Sequence, residues 1–159
     1  MGPQIKAVSD TGPLIHLREI GALDALKIFS IIVPPEVKEE LKTIPKGIVV
    51  QDGFDNDLVS ILINTYRLDL AESQAIALAK TLRINLFLTD DLDARTTAAK
   101  LGLEPHGTIG ILLKAYRHNI FSKQQTIQFI QRLKTDSTLF ITSDLIKYIL
   151  QEIENADKQ

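Results

Sequence analysis

Leu86-Phe87-Leu88-Thr89-Asp90-Asp91-Leu92-Asp93 is the stretch on which the reading of the chain turns. An apolar run short enough for a buried strand ends in three acids within four residues. Carboxylates at the carboxyl end of a parallel strand stand where open α/β sheets hold their ligands. One acidic cluster decides little by itself, so the question is which other acids converge on it.

Downstream, the sequence predicts a short helix over 94–101 stopped by Gly102, a brief segment Leu103–His106, and Thr108 as the cap of a helix over 109–118. Upstream, Asp69 opens an alanine-rich helix that reaches about Leu82. A further helix runs from about Asp57 to Arg67, after the polar stretch Gln51–Asn56. Lys46-Gly47 is a turn and Ile48–Val50 a candidate third strand.

The N-terminal part repeats the logic of 86–93. Residues 5–10, IKAVSD, read as a strand ending at Asp10, and Thr11-Gly12-Pro13 begins a helix, with an Asp or Thr cap and proline in the first turn. Gly21 ends it, and Ala22–Phe29 is a second helical stretch. Ile31–Val33 is a strand stopped by Pro34-Pro35, and Glu36–Lys42 has helical spacing. Beyond Ser122 the pattern is helical, with segments Lys123–Leu133 and Asp144–Ile153 and a frayed tail 154–159. Strands alternate with helices and no linker or repeat intervenes. A single domain over 1–159 of α/β class is expected, a parallel sheet covered by helices.

Composition narrows the function. With 159 residues, 45% hydrophobic and 24% charged, the chain suits one core of ordinary globular type. No apolar run approaches the roughly 18 residues of a membrane span. Met1-Gly2-Pro3-Gln4 carries neither a signal nor a myristoylation pattern, since Lys6 stands where that motif wants Ser or Thr. The absence of cysteine removes disulfides and thiolate zinc sites and points to the cytoplasm. A net charge of -2 argues against a broad basic surface, so nucleic-acid binding would need a local patch.

Asp10 and the Asp90/Asp91 pair each follow a strand, so both lie at one edge of the sheet. Each also serves as a helix cap, worth about 1 kcal/mol. Glu40 falls beside the apolar stripe set by Val37 and Leu41, at the core boundary, whereas Glu39 faces solvent. Glu72 shares the apolar face of Ala75, Ile76 and Ala79, and an unpaired buried acid there is costly. A capping box with Asp69 explains a Glu at the same position, and the local sequence does not choose between them. Two carboxylates about 5 Å apart repel by roughly 3 kcal/mol at an effective dielectric near 20. Capping does not offset that for four acids. If they converge, a divalent cation is the natural counter-charge, and hard oxygen donors favour Mg²⁺ or Mn²⁺.

SDTGPLIHL, VPPEVKEEL, LAESQAIALA, NLFLTDDLDAR and GLEPHGTIGILLKAYR, in that order, resemble a PIN domain, in the branch of small prokaryotic PIN-like nucleic-acid-binding proteins related to VapC toxins. The resemblance runs over about residues 5 to 120 and rests on the order and spacing of short motifs. It implies a three-layer α/β/α sandwich with a central parallel sheet and a metal-dependent ribonuclease with an acidic pocket. By position it makes Asp10, Glu40, Glu72 and Asp91 the catalytic acids and Asp10, Glu72 and Asp91 the metal ligands. Asp90 competes with Asp91 for the last place. Asp93 is a further candidate, and Thr11 and Thr89 would orient carboxylates or a water. Glu72 is one methylene longer than the usual Asp. RNA attraction would fall to Arg95, Lys100, Lys114, Arg117 and His118, which equally suit an ordinary solvated face. A cognate antitoxin protein and a second copy of the chain are the expected partners besides RNA.

Other chemistries fit less well. Asp10-Thr11-Gly12 spells the aspartic-protease triplet, but such an enzyme needs two copies in a β-rich fold. A haloacid-dehalogenase-like phosphatase wants a second Asp where Gly12 stands, and neither it nor a phosphoacceptor receiver accounts for Glu40 and Glu72. His16, His106 and His118 lack metal spacing, no glycine-rich phosphate loop or nucleophile elbow is present, and His16, in an apolar helix, reads as structural. The contrasting class is a PIN-like binding or protein-interaction module with little or no catalysis. Leu145, Ile146, Ile149, Leu150 and Ile153 form a helical stripe that suits core packing or a partner surface.

Overall fold

A computed structural model of the chain describes residues 4–156. Its centre is a five-stranded, wholly parallel sheet in the order β3-β2-β1-β4-β5. The strands are β1 (Ile5–Ser9), β2 (Phe29–Val33), β3 (Val49–Val50), β4 (Leu86–Leu88) and β5 (Glu104–His106). β4 stops at Leu88, just before the acids, and all three of its residues are buried. Near-continuous apolar residues are what a parallel strand covered on both faces requires. β3 has shrunk to two exposed residues, which leaves little free edge for another chain to pair with.

The helices are α1 (Thr11–Glu19), α2 (Pro35–Leu41), α3 (Asn56–Asn64), α4 (Leu70–Leu82), α5 (Leu92–Lys100), α6 (Thr108–Arg117), α7 (Lys123–Asp136) and α8 (Ser143–Ala156). Successive residues of a strand point to opposite faces, and this splits the core in two. Ala7, Ile31, Leu86 and Leu88 pack with Leu14 and Leu17 of α1 and with Ile111 and Leu112 of α6. Val8 and Phe87 point the other way, against Leu62 of α3, Ile76 and Ala79 of α4, and Ala94 and Ala98 of α5. α7 and α8 extend the first of these layers through Ile130, Leu133, Ile146 and Ile149. The result is the three-layer α/β/α sandwich that the resemblance implies.

Several boundaries moved for identifiable reasons. The helical stretch expected over Ala22–Phe29 is present as a 3-10 helix, Leu23–Ile28. A run this short repeats its apolar positions every three residues as readily as every 3.6. Thr108 is not a cap: Gly107 holds that position and Thr108 is the first helical residue. α8 continues through 154–156, where fraying was expected; 157–159 and the Met1-Gly2-Pro3 part of the N-terminal reading lie outside the described residues. No helix among the described residues is long and apolar enough to cross a membrane.

The strand order creates the site. The chain moves outward from β1 to β2 and β3, then returns to the other side of β1 as β4. Connections from neighbouring strands therefore diverge at the carboxyl ends of β1 and β4, opening a crevice there. Ser9 is in register with Leu88, and the Asp10 N–H donates to the Leu88 carbonyl at 2.8 Å. The residues after the two strands thus begin side by side.

Candidate active site

A cavity of about 590 Å³ occupies this crevice. Asp10, Glu40, Glu72 and Asp91 all line it, as do Asp69, Asp90 and Asp93. They come from four places in the sequence: the end of β1, the last turn of α2, the start of α4, and the β4–α5 junction.

Asp10 is held at both of its oxygens. It caps α1, its Oδ1 accepting from the Thr11 N–H at 2.7 Å, and Oδ2 accepts from the Thr89 hydroxyl at 3.1 Å. Only 6% of the residue is exposed. Burial pushes the Asp10 carboxyl up to about 7, with Asp69 and Glu40 adding to the rise and the bonds from Thr11 and Thr89 opposing it. Thr89 also accepts from the Asp91 N–H at 3.2 Å, so one hydroxyl ties the end of β1 to the loop after β4.

Glu72 lies on the buried stripe of α4, 8% exposed, with Ala75, Ile76 and Ala79 fully buried beside it. The Asp69 carboxylate caps the helix by accepting from the Glu72 N–H at 2.7 Å. Burial pushes the Glu72 carboxyl up to about 9, followed by a side-chain hydrogen bond with Asp69 and the charges of Asp69, Asp10 and Asp91. Capping and site membership therefore coexist here. Asp69 is the acid that sequence reasoning missed, because its capping role already explained it.

Glu40 is exposed rather than held at the core boundary. It is nonetheless fixed, its Oε1 accepting from the Thr11 hydroxyl at 2.5 Å. Thr11 thereby serves Asp10 through its backbone and Glu40 through its side chain.

Asp90 and Asp91 have different surroundings. Asp91 caps α5, its Oδ1 accepting from the Ala94 N–H at 2.8 Å, and its other oxygen has no hydrogen-bond partner among the described residues. Asp90 is enclosed and fully engaged. Its Oδ1 accepts from the Thr108 N–H at 2.7 Å, and Oδ2 accepts from the Thr108 hydroxyl at 2.5 Å and from His16 Nδ1 at 2.6 Å. Burial works to raise its carboxyl, but the bonds from His16 and Thr108 outweigh it and hold Asp90 below its ordinary value. A β-carbon on Gly107 would stand 2.8 Å from Asp90 Oδ1, so glycine is needed where α6 begins. His16, Asp90 and Thr108 together pin α1, the end of β4 and α6 to one another. Asp93 is exposed at the rim, while Lys100, Lys114, Arg117 and His118 do not line the cavity.

A family model described as a PIN domain matches residues 6–155. The chain belongs to the PIN-domain family. PIN domains are in general nucleases, act on nucleic acid and typically use divalent metal ions. No curated protein and no solved structure shows significant similarity to this chain.

The donors here fit such an ion in kind. They are carboxylate oxygens, two of them on residues where burial pushes the carboxyl up to about 7 (Asp10) and about 9 (Glu72), and a hard cation favours their charged form. In spacing they are not yet closed: among the described residues, no three Asp, Glu or His side chains stand together as a formed metal site.

Proposed function

We propose that this PIN domain is a divalent-metal-dependent endoribonuclease, hydrolysing RNA phosphodiester bonds with Mg²⁺ or Mn²⁺ at the acidic cavity and leaving a 5′-phosphate. The observation that carries the proposal is the convergence of Asp10, Glu72 and Asp91 on one cavity from separate segments, with the Asp10 and Glu72 carboxyls raised by burial and by neighbouring acids.

Asp10, Glu72 and Asp91 are assigned as the residues that would hold the ion. Asp91 is preferred to Asp90, whose two oxygens are occupied by His16 and Thr108. When bound, the ion supplies an acidified water and offsets charge on the phosphate. The chain's own part is to place the groups. Thr11 and Thr89 fix the plane of the Asp10 carboxylate, Thr11 directs Glu40 toward the same space, and Glu40 is assigned to orient the attacking water. Glu72, whose backbone N–H is capped by Asp69, would offer a third carboxylate to the ion once ionised.

Incubating the purified protein with RNA and Mn²⁺ tests this: cleavage ending in 5′-phosphate is expected, and full cleavage by Asp10→Asn would refute it. The unclosed spacing of the acids favours one second reading, a PIN-like nucleic-acid-binding or protein-interaction module with little catalysis. Metal and RNA binding without turnover would support it. A role as the toxin of a toxin–antitoxin pair, with a cognate antitoxin as partner and a homodimer as assembly, is part of the proposal. A small antitoxin gene beside this one is its test.

A further inference from the structure

Beside the cavity lies a second groove of about 500 Å³, and Asp90, Leu92, Leu139 and Phe140 line both. Its walls are apolar and incompletely covered. Phe140, in the α7–α8 loop, is 91% exposed, Leu92 is 74% exposed, and Tyr148 on the outer side of α8 is 62% exposed. Large apolar side chains clustered around one groove are unusual on a surface that meets only water.

The groove also holds charge of both signs: Asp90, whose oxygens are taken up by His16 and Thr108, and Arg95. Arg95 lines it and is partly buried, and its guanidinium makes no hydrogen bond or ion pair with any described residue. A partly desolvated guanidinium calls for a planar anion, carboxylate or phosphate. The occupant that suits this lining thus has a flat apolar face for the aromatic walls and an anionic group for Arg95. It also has the acids next door within reach, because the two spaces share part of their lining. A nucleotide with an unpaired base meets all three conditions: the base stacks on aromatic rings, the phosphate meets the guanidinium, and the chain leads on into the acidic cavity.

We propose that this groove is a base-binding subsite of the nuclease, where an unpaired base stacks on Phe140 and Tyr148 while Arg95 holds the adjoining phosphate; this rests on the nuclease reading above. A base locked in a duplex cannot enter the groove, so substrates with unpaired bases are favoured. Neither aromatic residue belongs to the acidic machinery, so replacing them alters substrate capture and leaves the acids in place.

The test reads binding apart from cleavage. Fluorescence anisotropy of a short labelled oligouridine is measured with Ca²⁺ in place of Mn²⁺, for wild type, Phe140→Ala, Phe140→Trp, Tyr148→Ala and Arg95→Gln. An abasic oligonucleotide of equal length and the matching duplex are controls. Phe140→Ala is expected to weaken oligouridine binding about tenfold, as loss of one stacked base does. Phe140→Trp restores it, and the abasic strand and duplex bind weakly and are indifferent to the substitution. Arg95→Gln is expected to weaken the oligouridine and the abasic strand alike. Equal binding of oligouridine by wild type and Phe140→Ala overturns the subsite, even where wild type cleaves RNA with Mn²⁺. If Phe140→Ala instead changes only sedimentation mass, the groove joins two copies of the chain and the proposal fails. Tenfold weakening with no cleavage by wild type upholds the subsite and removes the nuclease reading alone.

Discussion

The Thr89 hydroxyl donates to Asp10 Oδ2 at 3.1 Å across 79 residues of sequence. That contact is possible because β1 and β4 are direct neighbours in the sheet. It orients a buried carboxylate that would otherwise be held only by the backbone at the start of α1. Thr89→Val keeps the shape and removes the donor. A loss of about 2 kcal/mol in urea unfolding is expected, since a buried oxygen is left without a partner. Cleavage should fall chiefly in kcat with KM little changed, and Thr89→Ser should restore both.

Glu72→Gln separates chemistry from stability. At neutral pH the buried Glu72 carboxyl, raised to about 9, is already protonated in the metal-free protein. An amide of the same shape should therefore alter thermal stability little, by under about 1 kcal/mol. It cannot ionise to receive a cation, so RNA cleavage with Mn²⁺ should drop by about 100-fold or more.

The same two acids set a pH dependence. Asp10 and Glu72 rise from ordinary values of 3.8 and 4.5 to about 7 and about 9 on folding. Between those limits the folded chain carries more protons than the unfolded chain, so stability falls as pH rises. Metal-free protein should accordingly melt at progressively lower temperature from about pH 5 to about pH 8. Mn²⁺ should raise the melting temperature more at the upper end, where the carboxylates are free to bind it. Differential scanning calorimetry with and without Mn²⁺ reads both effects.

Asp90→Ala probes the clamp rather than the chemistry. It strips His16 and Thr108 of a buried partner, and a loss of about 3 kcal/mol is expected in denaturant unfolding. Asp90 is held below its ordinary value on folding, so the opposite sign applies to it. Its contribution is present above pH 3.8 and lost as pH falls through the lower folded value. Gly107→Ala should destabilise as well, by about 1 to 3 kcal/mol, because its β-carbon meets an anchored oxygen.

Much of this was legible in the residues, and the failures have physical causes. The apolar run at 86–88 and the two strand-ending acids placed the sheet and its edge, because strand polarity alone brings Asp10 and the 89–91 segment together. Glu72 could be singled out because an acid on an alanine-rich buried stripe conflicts with its neighbours. Asp69 escaped because a helix cap is a sufficient local reason for an aspartate, and only three dimensions show that it also faces the cavity. Asp90 and Asp91 could not be told apart: adjacent residues leave a strand in different directions, and the partners that claim Asp90 lie at His16 and Thr108. Glu40 was placed by helical phase, which gives the side of a helix and not its depth, so its exposure went unread. Phe140 lies in a segment without periodicity, and nothing in a single sequence marks such an aromatic residue as exposed.

The proposed function requires that the distant acids lining one cavity capture a hard divalent cation. Isothermal titration of Mn²⁺ into the purified protein, beside Asp10→Asn and Asp91→Asn, tests it most directly. Saturable binding by wild type that is lost or sharply weakened in both variants is the expected result. Undiminished binding in the variants, or no binding by wild type, would contradict it.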